Sequence, residues 1–244
     1  YARFVAIATK IKQEIAEKHI LAPYESNLIP LPHQILVLEK VMQGVQTRFM
    51  LADEVGMGKT IEAGLVLKEK KLRGEVQRVL LVIPKSAMLQ WQSEMKEHFA
   101  ENFFIYDSDL ITSMAKTFAS FDAEEELNFW RQHNQIIVSS DALKPIETRQ
   151  GWSQERVDAY NKYRLEMVVN ADFDMVIIDE AHKMGGSSTS VSRFKMAKVL
   201  CNAVPNLLLL TATPHRGKSD HFRRVLQLMD ADAFSGEGMP SIEE

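Results

Sequence analysis

Three unbroken apolar runs stand out along the chain: Val79-Leu-Leu-Val-Ile83, Met175-Val-Ile-Ile178 and Leu207-Leu-Leu-Leu210. A strand with one wet face alternates apolar and polar residues. A run that is apolar on both faces belongs in a parallel sheet covered by helices on both sides. With shorter runs they make six candidate strands, at 48–52, 79–83, 102–106, 136–139, 175–179 and 206–211. Helical periodicity fills 59–72, 86–99, 124–133, 155–170, 191–203 and 218–229. This alternation predicts an α/β fold, an open and mostly parallel sheet with helices on both faces. Ligands in such sheets bind at the carboxyl ends of the strands. Upstream, Phe4, Ile7, Ala8, Ile11, Ile15 and Leu21 recur at helical spacing and predict a helix over 1–22, ended by Pro23. Pro23, Pro30 and Pro32 then mark a linker. The expected organisation is an N-terminal helix and linker (1–30), one α/β lobe (31–230) and a flexible tail (231–244). The small polar run Gly185–Ser190 is expected to be a flexible loop.

Composition narrows the function. The 244 residues, 45% of them hydrophobic, suffice for one large core. With 29 basic against 33 acidic residues the chain is no basic nucleic-acid cloak, so any polyanion must be met by a local patch. A lone cysteine, Cys201, excludes an intrachain disulfide and a cysteine metal cluster. No run approaches the roughly 20 apolar residues that span a bilayer, and no signal peptide is recognisable. A chain starting at Tyr1 rather than Met is expected to be a fragment or a processed form.

Four of the apolar runs end in polar residues that suit one another. Phe49-Met-Leu-Ala-Asp-Glu-Val-Gly-Met-Gly-Lys-Thr60 passes from strand to glycine-rich turn to helix. Glycines let backbone N–H groups face phosphate oxygens, and the helix start adds the positive end of its dipole. The Lys59 ammonium can reach the β- and γ-phosphates of a nucleotide and the Thr60 hydroxyl can hold Mg²⁺. The general spacing GxxxxGK[ST] asks for glycine at 53, where this chain has Asp53 and a glycine at 56 instead. The plainer alternative is an ordinary strand–turn–helix corner. Met175-Val-Ile-Ile-Asp-Glu-Ala-His182 delivers Asp179, placed to hold Mg²⁺, and Glu180, placed to orient or deprotonate a water. In Leu210-Thr-Ala-Thr-Pro-His-Arg216, Thr211 and Thr213 either hydrogen-bond to that acidic pair or simply end a strand before Pro214. In Val82-Ile-Pro-Lys-Ser-Ala-Met-Leu-Gln-Trp91, Lys85 and Ser86 at a helix start form a phosphate-backbone contact, or Ser86 is a plain N-cap and Trp91 packs in the core.

The set and its order resemble the first motor lobe of superfamily-two helicase-like ATPases. Within these the chain resembles the Swi/Snf family, on the branch of the bacterial RNA-polymerase-associated ATPase. Leu31-Pro-His-Gln34 resembles the element whose glutamine reads adenine, and Leu51–Gly64 resembles motif I, whose glycines in this group fall at Gly56 and Gly58. Pro84, Ser86, Gln90, Trp91 and Glu94 resemble motif Ia; Ser139-Ser-Asp141 resembles Ib; Asp179–His182 and Thr211–Pro214 resemble motifs II and III. The resemblance spans residues 31–229.

It implies a RecA-like fold with ATP and Mg²⁺ as cofactors. ATP would be held by Gln34, Glu54, Val55, Gly56, Met57, Gly58, Lys59 and Thr60, and Mg²⁺ by Thr60 and Asp179. Glu180, Lys59 and Asp179 would carry the chemistry, while His182, Thr211 and Thr213 would couple it to the nucleic-acid face. Lys85, Ser86, Ser140, His215 and Arg216 would touch one strand's phosphates of double-stranded DNA. The family also needs a second RecA-like lobe with an arginine that stabilises transition-state charge, worth about 10³–10⁵ in rate in related enzymes. Nothing after Arg216 resembles it, so the chain alone is expected to hydrolyse ATP poorly. The resemblance further implies RNA polymerase or another multi-subunit complex as a partner, no membrane, and a bacterial cytoplasmic, nucleoid-associated setting. Two other readings stay open. One is a lobe of a strand-separating DNA or RNA helicase, which also uses Asp-Glu-Ala-His. The other is a docking module for RNA polymerase or a defence complex, in contact through 1–22 or the acidic Asp122–Glu126 segment.

Overall fold

The computed structural model describes residues 20–44, 46–52, 56, 58–119, 128–185, 192–212, 219–230 and 234. The expected helix up to residue 19, the acidic 122–126 segment, the loop from 186 to 190 and the tail from 235 lie outside them.

Six strands form one parallel sheet: β1 (Arg48–Leu51), β2 (Val79–Ile83), β3 (Phe104–Tyr106), β4 (Gln135–Ser139), β5 (Met175–Ile178) and β6 (Asn206–Leu210). Their order is β1-β6-β5-β2-β4-β3. The helices are α1 (Pro32–Met42), α2 (Lys59–Leu72), α3 (Met88–Phe99), α4 (Ser108–Ala119), α5 (Gln154–Val169), α6 (Ser192–Asn202) and α7 (Ser219–Met229). Because every strand points the same way, each connection must return from the carboxyl edge to the amino edge, and the helices make those returns.

The unbroken apolar runs are buried along their whole length. Their side chains alternate between two cores. Leu81, Ile83, Ile137, Ile177 and Leu208 join one with Leu38, Leu65 and Trp91 from α1–α3. Leu80, Val82, Ile136, Val176 and Leu209 join the other with Val168, Phe194 and Leu228 from α5–α7. A sheet apolar on both faces is thus satisfied on both.

Register brings the strand ends level. Leu51 pairs with Leu210, Ile178 with both Leu209 and Val82, and Ile83 with Ser139. Two backbone bonds carry the ladder one residue further, Thr211 N to Leu51 O (3.0 Å) and Asp179 N to Val82 O (3.0 Å). The residues after β1, β6, β5, β2 and β4 therefore emerge side by side along one edge.

Buried and half-buried polar groups fasten the periphery. The Arg48 guanidinium donates to the carbonyls of Val204 (2.9 Å) and Met229 (2.7 Å), tying the ends of α6 and α7 to the edge strand. Glu69, fully buried in α2, accepts from the backbone N–H groups of Leu21 (2.8 Å) and Ala22 (2.7 Å) and from Arg73 Nε (2.8 Å). That carboxylate pins the segment before α1 onto the helix that begins at Lys59. Burial pushes the Cys201 thiol up to about 12, so it packs as an inert side chain. Among the described residues no helix is long and apolar enough to cross a membrane.

Three local expectations are corrected. Pro32 does not lie in a linker but opens α1, where its missing N–H costs nothing. The helix expected over 124–133 is replaced, in its described part, by a 3₁₀ turn at Phe129–Arg131. Asn128 caps that turn by accepting from Trp130 N, and Phe129 and Trp130 are sunk in the core. α4 was not anticipated, although Leu110, Ile111, Met114, Ala115 and Phe118 recur at helical spacing.

Candidate active site

The turn after β1 is described at Gly56 and from Gly58 onward, while Asp53, Glu54, Val55 and Met57 lie outside the described residues. Gly56 (φ 88°) and Gly58 (φ 83°) both adopt the left-handed backbone that a side chain disfavours. Gly58 is the N-cap of α2, accepting from Ile61 N (2.8 Å) and Glu62 N (3.1 Å). Lys59 and Thr60 are the first two residues of that helix and stay half-exposed. First-turn N–H groups have no partner within a helix and point outward, as an anion requires.

Gln34 of α1 meets this turn. It is 4% exposed, and its Oε1 accepts from Leu31 N (2.9 Å). Its Nε2 lies 2.6 Å from where a Cβ on Gly58 would stand. A Cβ at 58 would strain the backbone through its φ and would also push the Gln34 amide aside.

The acidic pair follows β5. Asp179 Oδ1 accepts from Glu180 N (2.8 Å) and Oδ2 from the indole Nε1–H of Trp91 (3.2 Å). Burial pushes the Asp179 carboxyl above its ordinary value, opposed first by the Glu180 N–H, then by the Trp91 indole, with Lys59 also drawing it down. Glu180 adopts φ 52° and ψ 43°, a left-handed conformation costing roughly 1–2 kcal/mol for a side-chain-bearing residue. Such strain persists where the surroundings over-determine it. Here they do: His182 Nδ1 lies 3.0 Å from Glu180 Oε2, and Lys183 N donates to Glu180 O (2.8 Å).

His182 is 4% exposed, and the same Nδ1 lies 3.1 Å from Thr211 Oγ1. A carboxylate only accepts, so a proton on Nδ1 serves Glu180. One imidazole thus touches the residues after β5 and after β6 at once. Thr213, His215 and Arg216 lie outside the described residues.

The remaining candidates sit further along the edge. Lys85 and Ser86 are exposed in a 3₁₀ turn (Lys85–Ala87) directly after β2. Ser86 is not the N-cap of α3: that position is Ala87, which makes no side-chain cap bond. Ser140 opens the helical turn Ser140–Leu143 after the neighbouring β4, with Ser139 Oγ capping it by accepting from Ala142 N (3.1 Å). Lys85, Ser86 and Ser140 therefore leave adjacent strands on one edge.

Trp91 is the participant that sequence reading undervalued. It is in the core, 3% exposed, yet its only polar atom is spent on Asp179. No local signal gives that partner, because the β2–β5 pairing that brings α3 to Asp179 is not written in the residues around Trp91.

The residues fit Mg²⁺ and a nucleotide. Among the described residues no three His, Cys, Asp or Glu form an all-protein metal cage. A single carboxylate beside a phosphate-binding turn suits Mg²⁺, which keeps its waters and shares substrate phosphates.

The six-stranded parallel sheet flanked by helices, with its polar residues gathered on the carboxyl edge, is an α/β lobe of RecA-like fold. The profile of the SNF2-related domain matches residues 33–238, and the chain belongs to that family, corresponding to the N-terminal lobe of Swi/Snf-type superfamily-two ATPases. It is 37% identical over 206 residues to the RNA polymerase-associated protein RapA of Actinobacillus succinogenes, covering 84% of this chain and 19% of that protein. It is 32% identical over 235 residues to RapA of Photobacterium profundum, covering 95% of this chain and 21% of the relative. The chain thus spans about a fifth of the length of these relatives. The SWI2/SNF2 ATPase core of Sulfolobus solfataricus, solved in complex with dsDNA, shares the fold. Its TM-score is 0.60 at 20% identity over 86% of this chain and 38% of that one. The Hef helicase domain of Pyrococcus furiosus shares it too, with a TM-score of 0.53 at 17% identity over 82% of this chain and 36% of that one.

Proposed function

We propose that this chain is the first motor lobe of an ATP-dependent translocase on double-stranded DNA. The observation that carries the proposal is His182, whose Nδ1 contacts Glu180 (3.0 Å) and Thr211 (3.1 Å) together. The residue proposed to prepare the attacking water is thereby joined to the neighbouring strand end. A change at the phosphate is then felt beyond the nucleotide.

Gln34, packed on Gly58, meets the adenine ring. The backbone from Glu54 through Gly58 and the first turn of α2 receive the phosphates, and Lys59 neutralises the β- and γ-oxygens. Thr60 and Asp179 are the residues that would hold Mg²⁺, which supplies charge neutralisation for phosphoryl transfer when bound. Asp179 must be ionised to do so, and the Trp91 and Glu180 donors favour that form against the pull of burial. Glu180, held in its strained conformation, orients a water for in-line attack. Thr211 and Thr213 relay the event to the edge where Lys85, Ser86, Ser140, His215 and Arg216 grip phosphates of one strand. A second RecA-like lobe supplies the missing transition-state arginine, so the isolated chain turns over ATP weakly and gains only slight thermal stabilisation from Mg·ATP. RNA polymerase, with which the RapA relatives are named as associated, is the proposed docking partner in a bacterial cytoplasm.

The test is ATP turnover by the full-length gene product with and without duplex DNA. Stimulation by DNA that vanishes in Lys59→Ala and in Glu180→Gln is expected. Turnover that ignores DNA, or survives Glu180→Gln, contradicts the proposal.

A further inference from the structure

Between the Ser140 turn and α5 lies a cluster that none of the motifs above includes. Arg149 Cζ stands 4.4 Å from the centroid of the Trp152 ring and Arg156 Cζ 4.5 Å from it. Trp152 is half-buried and braced edge-to-face by Tyr160, with centroids 5.3 Å apart at 89°. Both arginines are exposed.

The segment is built to hold this arrangement. Asn161 of α5 clasps the backbone of Ile146, donating to its carbonyl (2.8 Å) and accepting from its N–H (2.9 Å). The turn at 149–152 closes with Trp152 N donating to Arg149 O (3.0 Å), and Gly151 takes the left-handed φ of 77°. Ser153 caps α5 by accepting from Arg156 N (3.3 Å). Arg164 fastens the helix to the Ser140 turn through Ala142 O.

Charge makes the cluster more than a packing motif. Among the described residues neither Arg149 nor Arg156 makes an ion pair. The neighbouring Glu147 is engaged by Lys144 (3.5 Å), and Asp158 accepts from Gln154 (3.0 Å). Two exposed guanidiniums share one indole, a concentration of positive charge that attracts an anion. Each keeps its fork of N–H donors, a geometry matched to phosphate oxygens. Stacking on a braced ring also removes much of the side-chain freedom that binding otherwise costs.

Topology says which anion. β4 ends at Ser139 on the carboxyl edge beside Ile83, and α5 must start at that edge to return the chain to β5. The cluster therefore shares the edge of Lys85, Ser86 and Ser140. We infer that Arg149 and Arg156, shelved on Trp152, form a further contact to duplex-DNA phosphates that extends the proposed track past the Ser140 turn. This rests on the duplex-DNA reading above.

The test is equilibrium binding of a fluorescent B-form duplex to the full-length gene product across a salt titration. Losing two phosphate contacts is expected to shrink the slope of log K against log salt by about 1.8 in the Arg149→Gln/Arg156→Gln double variant. A control removing two exposed lysines of α6, Lys195→Gln/Lys198→Gln, is expected to keep the wild-type slope. Trp152→Ala is expected to follow the arginine variant and Trp152→Phe to restore most of the slope, with thermal melts confirming folding. Steep wild-type binding whose slope is unchanged in the arginine variant overturns this contact and leaves the duplex reading standing; so does an equal fall in the lysine control. A wild type that does not bind duplex with steep salt dependence overturns both.

Discussion

Trp91→Phe isolates one hydrogen bond at the centre of the site. Phenylalanine keeps an aromatic ring in the core that Trp91 shares with Leu65 and Met95, but has no N–H to give Asp179. A hydrogen bond to a charged group is worth about 1.5–3 kcal/mol. The observed 3.2 Å sits at the long end of the N–H···O range, which argues for the lower figure, about 1.5 kcal/mol. Losing it raises the Asp179 pKa further. The sign follows from the donor having favoured the carboxylate form. Since Asp179 is proposed to hold Mg²⁺ only when ionised, the acid limb of kcat/KM for Mg·ATP moves upward, and the alkaline limb stays in place. The assay is DNA-stimulated ATP turnover of the full-length gene product against pH, at low Mg²⁺ so that the metal does not mask the titration. An acid limb unmoved in a folded Trp91→Phe variant refutes the link between the indole and the metal-binding carboxylate.

The other predictions use the same geometry. Gly58→Ala and Gly56→Ala both strain a left-handed backbone, but only at 58 does the new Cβ meet Gln34 Nε2 (2.6 Å), whereas nothing lies within 4 Å at 56. Nucleotide affinity measured by calorimetry is therefore expected to fall more for Gly58→Ala, and equal losses would show that Gln34 takes no part. Gly64→Ala in α2 drives a Cβ against the buried Phe99 ring, onto Cε2 and within 2.5 Å of Cζ. Overpacking of about 1–3 kcal/mol set against a helix-propensity gain of about 1 kcal/mol leaves a net loss of up to about 2 kcal/mol, read by urea unfolding. Burial raises the Asp179 pKa above 3.8, so this group's contribution to stability is full below 3.8 and is lost as pH rises through the folded value. Asp179→Asn is therefore expected to gain on wild type in thermal melts as pH rises from below 3.8 to neutral, and a constant difference would count against a raised carboxyl.

What could be read in the residues was whatever local pattern decides. Uninterrupted runs such as Leu207–Leu210 admit few placements other than a buried parallel strand, and each was found there. The strand-end rule then collected Lys59, Asp179, Glu180 and Thr211 on one edge without any knowledge of strand order. Features that depend on distant partners escaped. Nothing near Trp91 announces that its indole reaches a carboxylate 88 residues away. In the described part of the helix expected over 124–133, a 3₁₀ turn at Phe129–Arg131 stands instead; there Arg78, far along the chain, holds the Trp130 carbonyl (2.9 Å) and the Trp130 ring is in the core. Pro32 misled in the opposite direction, since proline ends a helix in its interior yet opens one at its first turn.

Movement along intact duplex is the property that separates a translocase from a strand-separating helicase and from a passive docking module. It is measured most directly by following a third strand bound to one end of a duplex while the full-length gene product and Mg·ATP are added. ATP-dependent displacement of that third strand, with the underlying duplex left paired and with no displacement by Glu180→Gln, is the predicted result. Separation of the duplex strands, or a third strand that stays bound while ATP is consumed, would contradict it.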